Sequence, residues 1–259
     1  MKFPFLLFFF FPAILFCAPT APDAANQIAA NAESVIERAG HCADAPALAH
    51  AIKSLDDALA VTPNQPALLY TRGYAGYVDS GLHRGPKKQA AGEQCLRDAA
   101  GFLERVKGAP WETEAAALRG AILGALIGMQ KDPAQAAATL GPESRELLAQ
   151  AATAAPTSPR VLLFRGQSLL FTPPEYGGDP VEGAALMQKA VDGLAAAMPT
   201  DGPRWGHAEA LAWLGFAKKQ AGDLAAARAA WQQALAIEPN YAWIKFALLP
   251  SLAQPPSAK

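Results

Sequence analysis

Histidines, cysteines and carboxylates are the side chains from which a reactive site would have to be built in this 259-residue chain, and the first two are sparse. His41, His50, His83 and His207 are scattered, none in a metal-spaced pair and none beside a Ser or Cys nucleophile motif. His41 and Cys42 are adjacent, but neighbouring residues on a turn rarely converge on one site. Asp56-Asp57 reads as a solvated pair on a helix surface. Two cysteines without nearby histidine in the sequence are poor evidence for a zinc site. No Gly-rich phosphate loop is present; Gly120, Gly124 and Gly128 recur every four residues, a smooth stripe for close helix packing or, alternatively, the lining of a ligand channel. The expectation is a chain that is not an enzyme, with no catalytic residue, no metal and no cofactor.

Binding chemistry is better represented. Tyr70, Tyr74 and Tyr77 step by four and three, so on a helix they share one face. Tyrosine offers rigid contact area and a hydroxyl, which suits a binding surface. A helical aromatic stripe also serves as core, and both readings stand at this point.

The elements that position these residues are helices. Alanine dominates a composition that is 51% hydrophobic, β-branched residues are sparse, and no segment alternates apolar and polar side chains as a half-buried strand would. The fold class is all-α. Charged residues make up 17% of the chain and the net charge is -1, without the basic face that nucleic-acid binding needs. The hydropathy and turn pattern predicts helices over 23–38, 44–61, 66–80, 87–107, 111–130, 142–154, 158–171, 180–197, 205–221, 223–237 and 241–252.

Three units share one spacing. Ala227, Trp231, Ala234 and Pro239 step by four, three and five, as do Ala51, Leu55, Ala58, Pro63 and Ser144, Leu148, Ala151, Pro156. Pro63 and Pro156 are each followed by a second proline and then Leu69, Arg72, Gly73 or Leu162, Arg165, Gly166. Residues 208–241, with Leu211, Leu214, Gly215, the Gly222-Asp223 break and Trp231, resemble the tetratricopeptide repeat of 34 residues. Lys218 stands where that family has an aromatic residue. The resemblance implies antiparallel helix pairs stacked into a right-handed solenoid, with Trp243, Phe246, Leu248 and Leu249 in a C-terminal capping helix. Residues 21–253 form this repeat domain, and 254–259 are a disordered tail.

The family resemblance also implies that the first helix of each pair lines a concave groove holding a partner protein or peptide. The candidate groove residues are Tyr70, Tyr74, Tyr77, Leu163, Gln167, Phe171, Phe216 and Lys219. Arg72 and Arg165 occupy equivalent places, suited to a bound carboxylate or to structural ion pairs. The turn Thr172 to Pro180 should end one helix at Pro173-Pro174 and start the next with Asp179 as cap; Tyr176 would sit in the groove or tuck under the loop. This turn is similar to one in exported bacterial tetratricopeptide proteins, including those associated with TRAP-type solute transporters. The alternative function it implies is a transporter accessory binding a small hydrophobic ligand.

Residues 1–20 read as a signal peptide: Lys2 precedes a Phe/Leu-rich run too short to span a bilayer comfortably and broken by Pro12. Cleavage would leave a soluble periplasmic protein; lipidation of Cys17 or an uncleaved anchor are the alternatives, and Phe16 disfavours lipidation. In an oxidising compartment Cys42 and Cys95 could form a disulfide or remain as two buried thiols.

Overall fold

A computed structural model describes residues 21–83, 85, 87–196 and 202–253; the expected signal segment 1–20 and the expected tail 254–259 lie outside the described residues. The helices are α1 (Ala21–Cys42), α2 (Ala45–Val61), α3 (Pro66–Leu82), α4 (Gln89–Glu104), α5 (Trp111–Met129), α6 (Pro133–Ala154), α7 (Pro159–Phe171), α8 (Pro180–Ala196), α9 (His207–Gln220) and α10 (Leu224–Ile237). Among the described residues there is no strand, and no helix is long and apolar enough to cross a membrane.

Local chemistry sets the helix starts. Asp44, Asp132 and Asp223 each accept a hydrogen bond from the backbone N–H three residues on, and Asp179 accepts from Val181 and Glu182 N–H. Prolines occupy the first turn of α2, α3, α6 and α7, where a missing N–H costs nothing. Helix α6 begins at Pro133, not at 142: the Asp132 cap nucleates it, and Pro142 is carried inside. The expected helix 241–252 is instead a π-helical turn, Ile244–Leu248, followed by a tight turn at Pro250–Leu252.

The helices pack as α1/α2, α3/α4, α5/α6, α7/α8 and α9/α10, and each first helix also touches the first helix of the next pair. This is the stacked, tetratricopeptide-like arrangement of antiparallel pairs that the resemblance implied. Its close approaches are made by small residues. A Cβ on Gly166 would lie 2.7 Å from the Gly183 carbonyl oxygen, and one on Gly183 would lie 2.8 Å from that of Gly166, so α7 and α8 meet backbone to backbone. A Cβ on Gly120 would lie 2.9 Å from Leu148 Cγ, while Gly128 faces open space; the glycine stripe serves packing at Gly120. A Cβ on Gly215 would overlap the indole of Trp231, whose Nε1 donates to the Ala212 carbonyl at 3.0 Å.

The buried side chains fall into two clusters, one over the first three pairs together with Val161, Phe164 and Trp205, and one over the last two pairs with the C-terminal turns. Helix α1 also reaches the far end of the stack: His41 stacks on Tyr241 at 4.0 Å, and Arg38 lies 3.9 Å from Glu238.

Candidate functional site

The tyrosine stripe lies on the inner side of α3, but Tyr70 and Tyr74 do not face solvent. Trp205, in the connection before α9, inserts against them. Its indole stacks on Tyr74 with centroids 4.0 Å apart and planes 12° from parallel, and its Nε1 donates to the Tyr70 hydroxyl at 3.2 Å. Trp111 packs on Tyr70 and Phe164 on Trp205. All four rings of Tyr70, Tyr74, Phe164 and Trp205 are buried. The stripe is therefore core at its first two positions; the missing piece was a residue 135 positions away in sequence from Tyr70.

Polar groups pin this insertion. Glu33 accepts from Arg204 N–H at 3.0 Å and Glu37 from Gly206 N–H at 2.8 Å, both from α1. Arg160 donates to the Trp205 carbonyl at 3.1 Å and to Glu114 at 3.0 Å, with 2% and 8% of the two ion-pair side chains exposed. Ser158 donates to the other Glu114 oxygen at 2.6 Å. Gly206 holds a φ of 115°, which lets the chain turn from the inserted Trp205 into α9. Burial pushes the Glu33 carboxyl up to about 7, against the opposing Arg204 hydrogen bond and the Arg160 charge.

Beyond this plug the inner face changes character. Phe171 of α7 meets Trp213 at 5.7 Å and Phe216 at 5.9 Å, both on α9; Trp213 in turn lies 4.8 Å from Trp243 in the C-terminal segment. Phe171 is 56% exposed, and Trp213, Phe216 and Trp243 are half-buried. These four rings form a continuous aromatic surface with solvent on one side. At its edge toward α3, Tyr77 donates to Glu209 at 3.3 Å and Trp213 Nε1 donates to the same oxygen at 3.4 Å. Burial raises Glu209 to about 7, partly offset by the Trp213 hydrogen bond. On the opposite edge Lys219 donates to Ser251 at 2.7 Å. One turn before Phe171, Gln167 is buried and its Nε2 has no hydrogen-bond partner among the described residues.

The candidate residues thus separate into two groups. Phe171, Phe216, Lys219 and Tyr77 fall on or around one surface; Gln167, Leu163, Tyr70 and Tyr74 are buried. Trp213 and Trp243 complete the surface and were missed. Trp213 was legible, since it lies four residues after Glu209 and three before Phe216 on one helix face. Cys42 and Cys95 are both free thiols, on α1 and α4, and the disulfide is absent because the fold does not bring them together. Arg72 makes the structural ion pair, 2.7 Å from Asp56 and stacked 4.7 Å over Phe102, whereas Arg165 lines a shallow outer depression with Arg145 and Tyr176. Tyr176 is exposed at the rim of that depression, so it is not tucked under its loop.

No family model matches the sequence. No curated protein matches it either. Among solved structures, the HusA haemophore from Porphyromonas gingivalis is similar over 78% of this chain and 94% of its own, with a TM-score of 0.59 and 23% identity. A MamA structure from Desulfovibrio magneticus RS-1 is similar over 86% of this chain and 98% of its own, with a TM-score of 0.37 and 16% identity. At this level of identity the HusA likeness speaks to the helical fold.

Proposed function

We propose that the protein is an exported, non-enzymatic binding scaffold that holds an apolar segment of a partner protein or peptide against Phe171, Trp213, Phe216 and Trp243. The carrying observation is that surface: four mutually touching rings left open on the inner face of a repeat stack. Aromatic anchors of this kind dominate binding energy where they are found, because they bury large area at low entropic cost. Gln167 adds a directional group. A buried amide donor without a partner costs about 1–3 kcal/mol, which a carbonyl of a bound chain would recover. Periplasmic location belongs to the same proposal and rests on the sequence of residues 1–20.

A second reading is a carrier or transporter accessory for a small, flat, hydrophobic ligand. It is favoured by the likeness to HusA, a haemophore by description, and by an aromatic surface suited to stacking on a planar molecule.

The test is affinity capture from periplasmic extract with the wild-type chain and a Phe171→Ala/Trp213→Ala variant, with mass spectrometry of proteins and small molecules. A peptide or protein partner lost in the variant supports the scaffold. A small molecule such as haem recovered instead, and lost in the variant, supports the carrier. Ligands retained by the variant at wild-type levels would refute both uses of this surface.

A further inference from the structure

We propose that Asp79, His83 and Cys95 form a binding site for a zinc-class divalent cation in the seam between α3 and α4. The site is separate from the aromatic surface and independent of the function proposed for it.

Asp79 and His83 lie one helical turn apart, at the C-terminal end of α3, and therefore share a face. Cys95 comes from α4, which packs against α3. Two glycines make the approach close enough. A Cβ on Gly76 would lie 3.1 Å from the Cys95 carbonyl oxygen, and one on Gly92 would lie 3.3 Å from His83 Cβ. Any larger residue at either position would push the two helices' ligands apart.

The geometry that results is that of a partial coordination sphere. His83 Nε2 is 3.4 Å from Asp79 Oδ1 and Cys95 Sγ is 3.3 Å from Asp79 Oδ2, the two oxygens of one carboxylate, and one ligand atom from each residue lies within 4.8 Å of the others. Tetrahedral zinc separates nitrogen, oxygen and sulfur ligands by about 3.3–3.6 Å, so an ion would draw this looser set inward. All three residues are half-buried, so the seam shields one side while solvent reaches the other and can supply the fourth ligand. Thiolate and imidazole together select a zinc-class ion over magnesium or calcium, which take oxygen ligands.

Without a cation, the Cys95 thiol donates to the Asp79 carboxylate. Burial, then this hydrogen bond, then the charges of Asp79 and Asp98 push the thiol up to about 11, with Arg72 opposing. A dication inverts that environment. It displaces the thiol proton to solvent, and the Cys95–Asp79 hydrogen bond gives way to two bonds to the metal.

The experiment is titration of chelator-treated protein with Co(II), followed by absorption spectroscopy. One equivalent should produce visible ligand-field bands together with a near-ultraviolet thiolate-to-cobalt band, and Zn(II) should bleach both. Cys95→Ser should lose the thiolate band while Cys42→Ser keeps it. His83→Gln should weaken cobalt binding by more than about tenfold, since even outer-shell partners cost that much. Absence of the thiolate band in the wild type, or its survival in Cys95→Ser, would overturn the site. Should Cys95→Ser fail to fold, wild-type alkylation decides: Zn(II) must slow labelling of Cys95 but not of Cys42, and equal rates with and without zinc would overturn it.

Discussion

Replacing Glu33 by Gln should make the protein more stable at neutral pH, by an amount that grows with pH. Glu33 is 3% exposed, and one of its oxygens has no hydrogen-bond partner among the described residues. Burial raises its carboxyl from 4.5 to about 7. A carboxyl raised in the folded state binds its proton more tightly there than in the unfolded chain. Its contribution is fully present below about pH 4.5 and is lost as pH rises through about 7. At about 1.4 kcal/mol per pH unit, the loss amounts to about 3 kcal/mol. Glu209, also raised from 4.5 to about 7, adds a slope of the same sign. His41 does the opposite: burial lowers it from 6.5 to about 4, so its contribution is lost as pH falls through that window. The three slopes partly cancel, and the wild-type curve alone would hide Glu33. The difference between Glu33→Gln and wild type removes Glu209 and His41 and leaves beside Glu33 only its coupling to Glu37, whose carboxyl burial also raises. It should start near zero below about pH 4.5, where amide and neutral carboxyl are nearly isosteric, and climb to about 3 kcal/mol near pH 7. Urea unfolding followed by circular dichroism at closely spaced pH values measures it. A difference that does not change with pH would refute the assignment of Glu33 as a buried, proton-binding group.

Unfolding measurements check three further consequences, and thiol chemistry a fourth. Trp205→Ala should cost about 3–5 kcal/mol, because the side chain fills the space between Tyr74, Tyr70 and Phe164, and a surface tryptophan would cost far less. Arg160→Met should cost about 3–5 kcal/mol by leaving Glu114 buried without its cation, and adding Glu114→Gln should restore a large part of it. Gly215→Ala should lower stability by about 1–3 kcal/mol or more and leave a broader thermal transition, since its Cβ would displace Trp231. Denatured protein kept free of reductant should react with two equivalents of a thiol reagent beyond any at Cys17, as expected of free Cys42 and Cys95; an intact mass two hydrogens lighter would contradict this.

The repeat architecture was legible because its determinants are local. Ala227, Trp231 and Ala234 sit within one helix, and the glycine that receives Trp231 lies on the helix just before it. Four-three-five spacing therefore reports a contact between neighbouring elements, and it carried over to α2 and α6. What spacing cannot report is a residue that leaves the repeat. Trp205 stands between Gly202 and Gly206, outside any periodic segment, and its partners lie on α3 and α7. Its insertion turned Tyr70 and Tyr74 from candidate ligand contacts into core. It left the rest of the inner face, beyond Phe164, to whatever Phe171, Trp213, Phe216 and Trp243 receive.

Locality also divides the two candidate sites. The aromatic surface depends on positions set by the repeat in each first helix, so Phe171 and Phe216 are legible as groove residues from their places beside Gly166 and Gly215. The Asp79, His83 and Cys95 cluster depends on how closely α3 and α4 approach, which Gly76 and Gly92 determine in three dimensions. In sequence Asp79 and His83 are an unremarked i,i+4 pair, and Cys95 is twelve residues further on. A solenoid that uses small residues to bring neighbouring helices together also brings together whatever polar side chains flank those residues. Chemistry in such a fold is therefore to be sought beside the packing glycines as well as along the concave face.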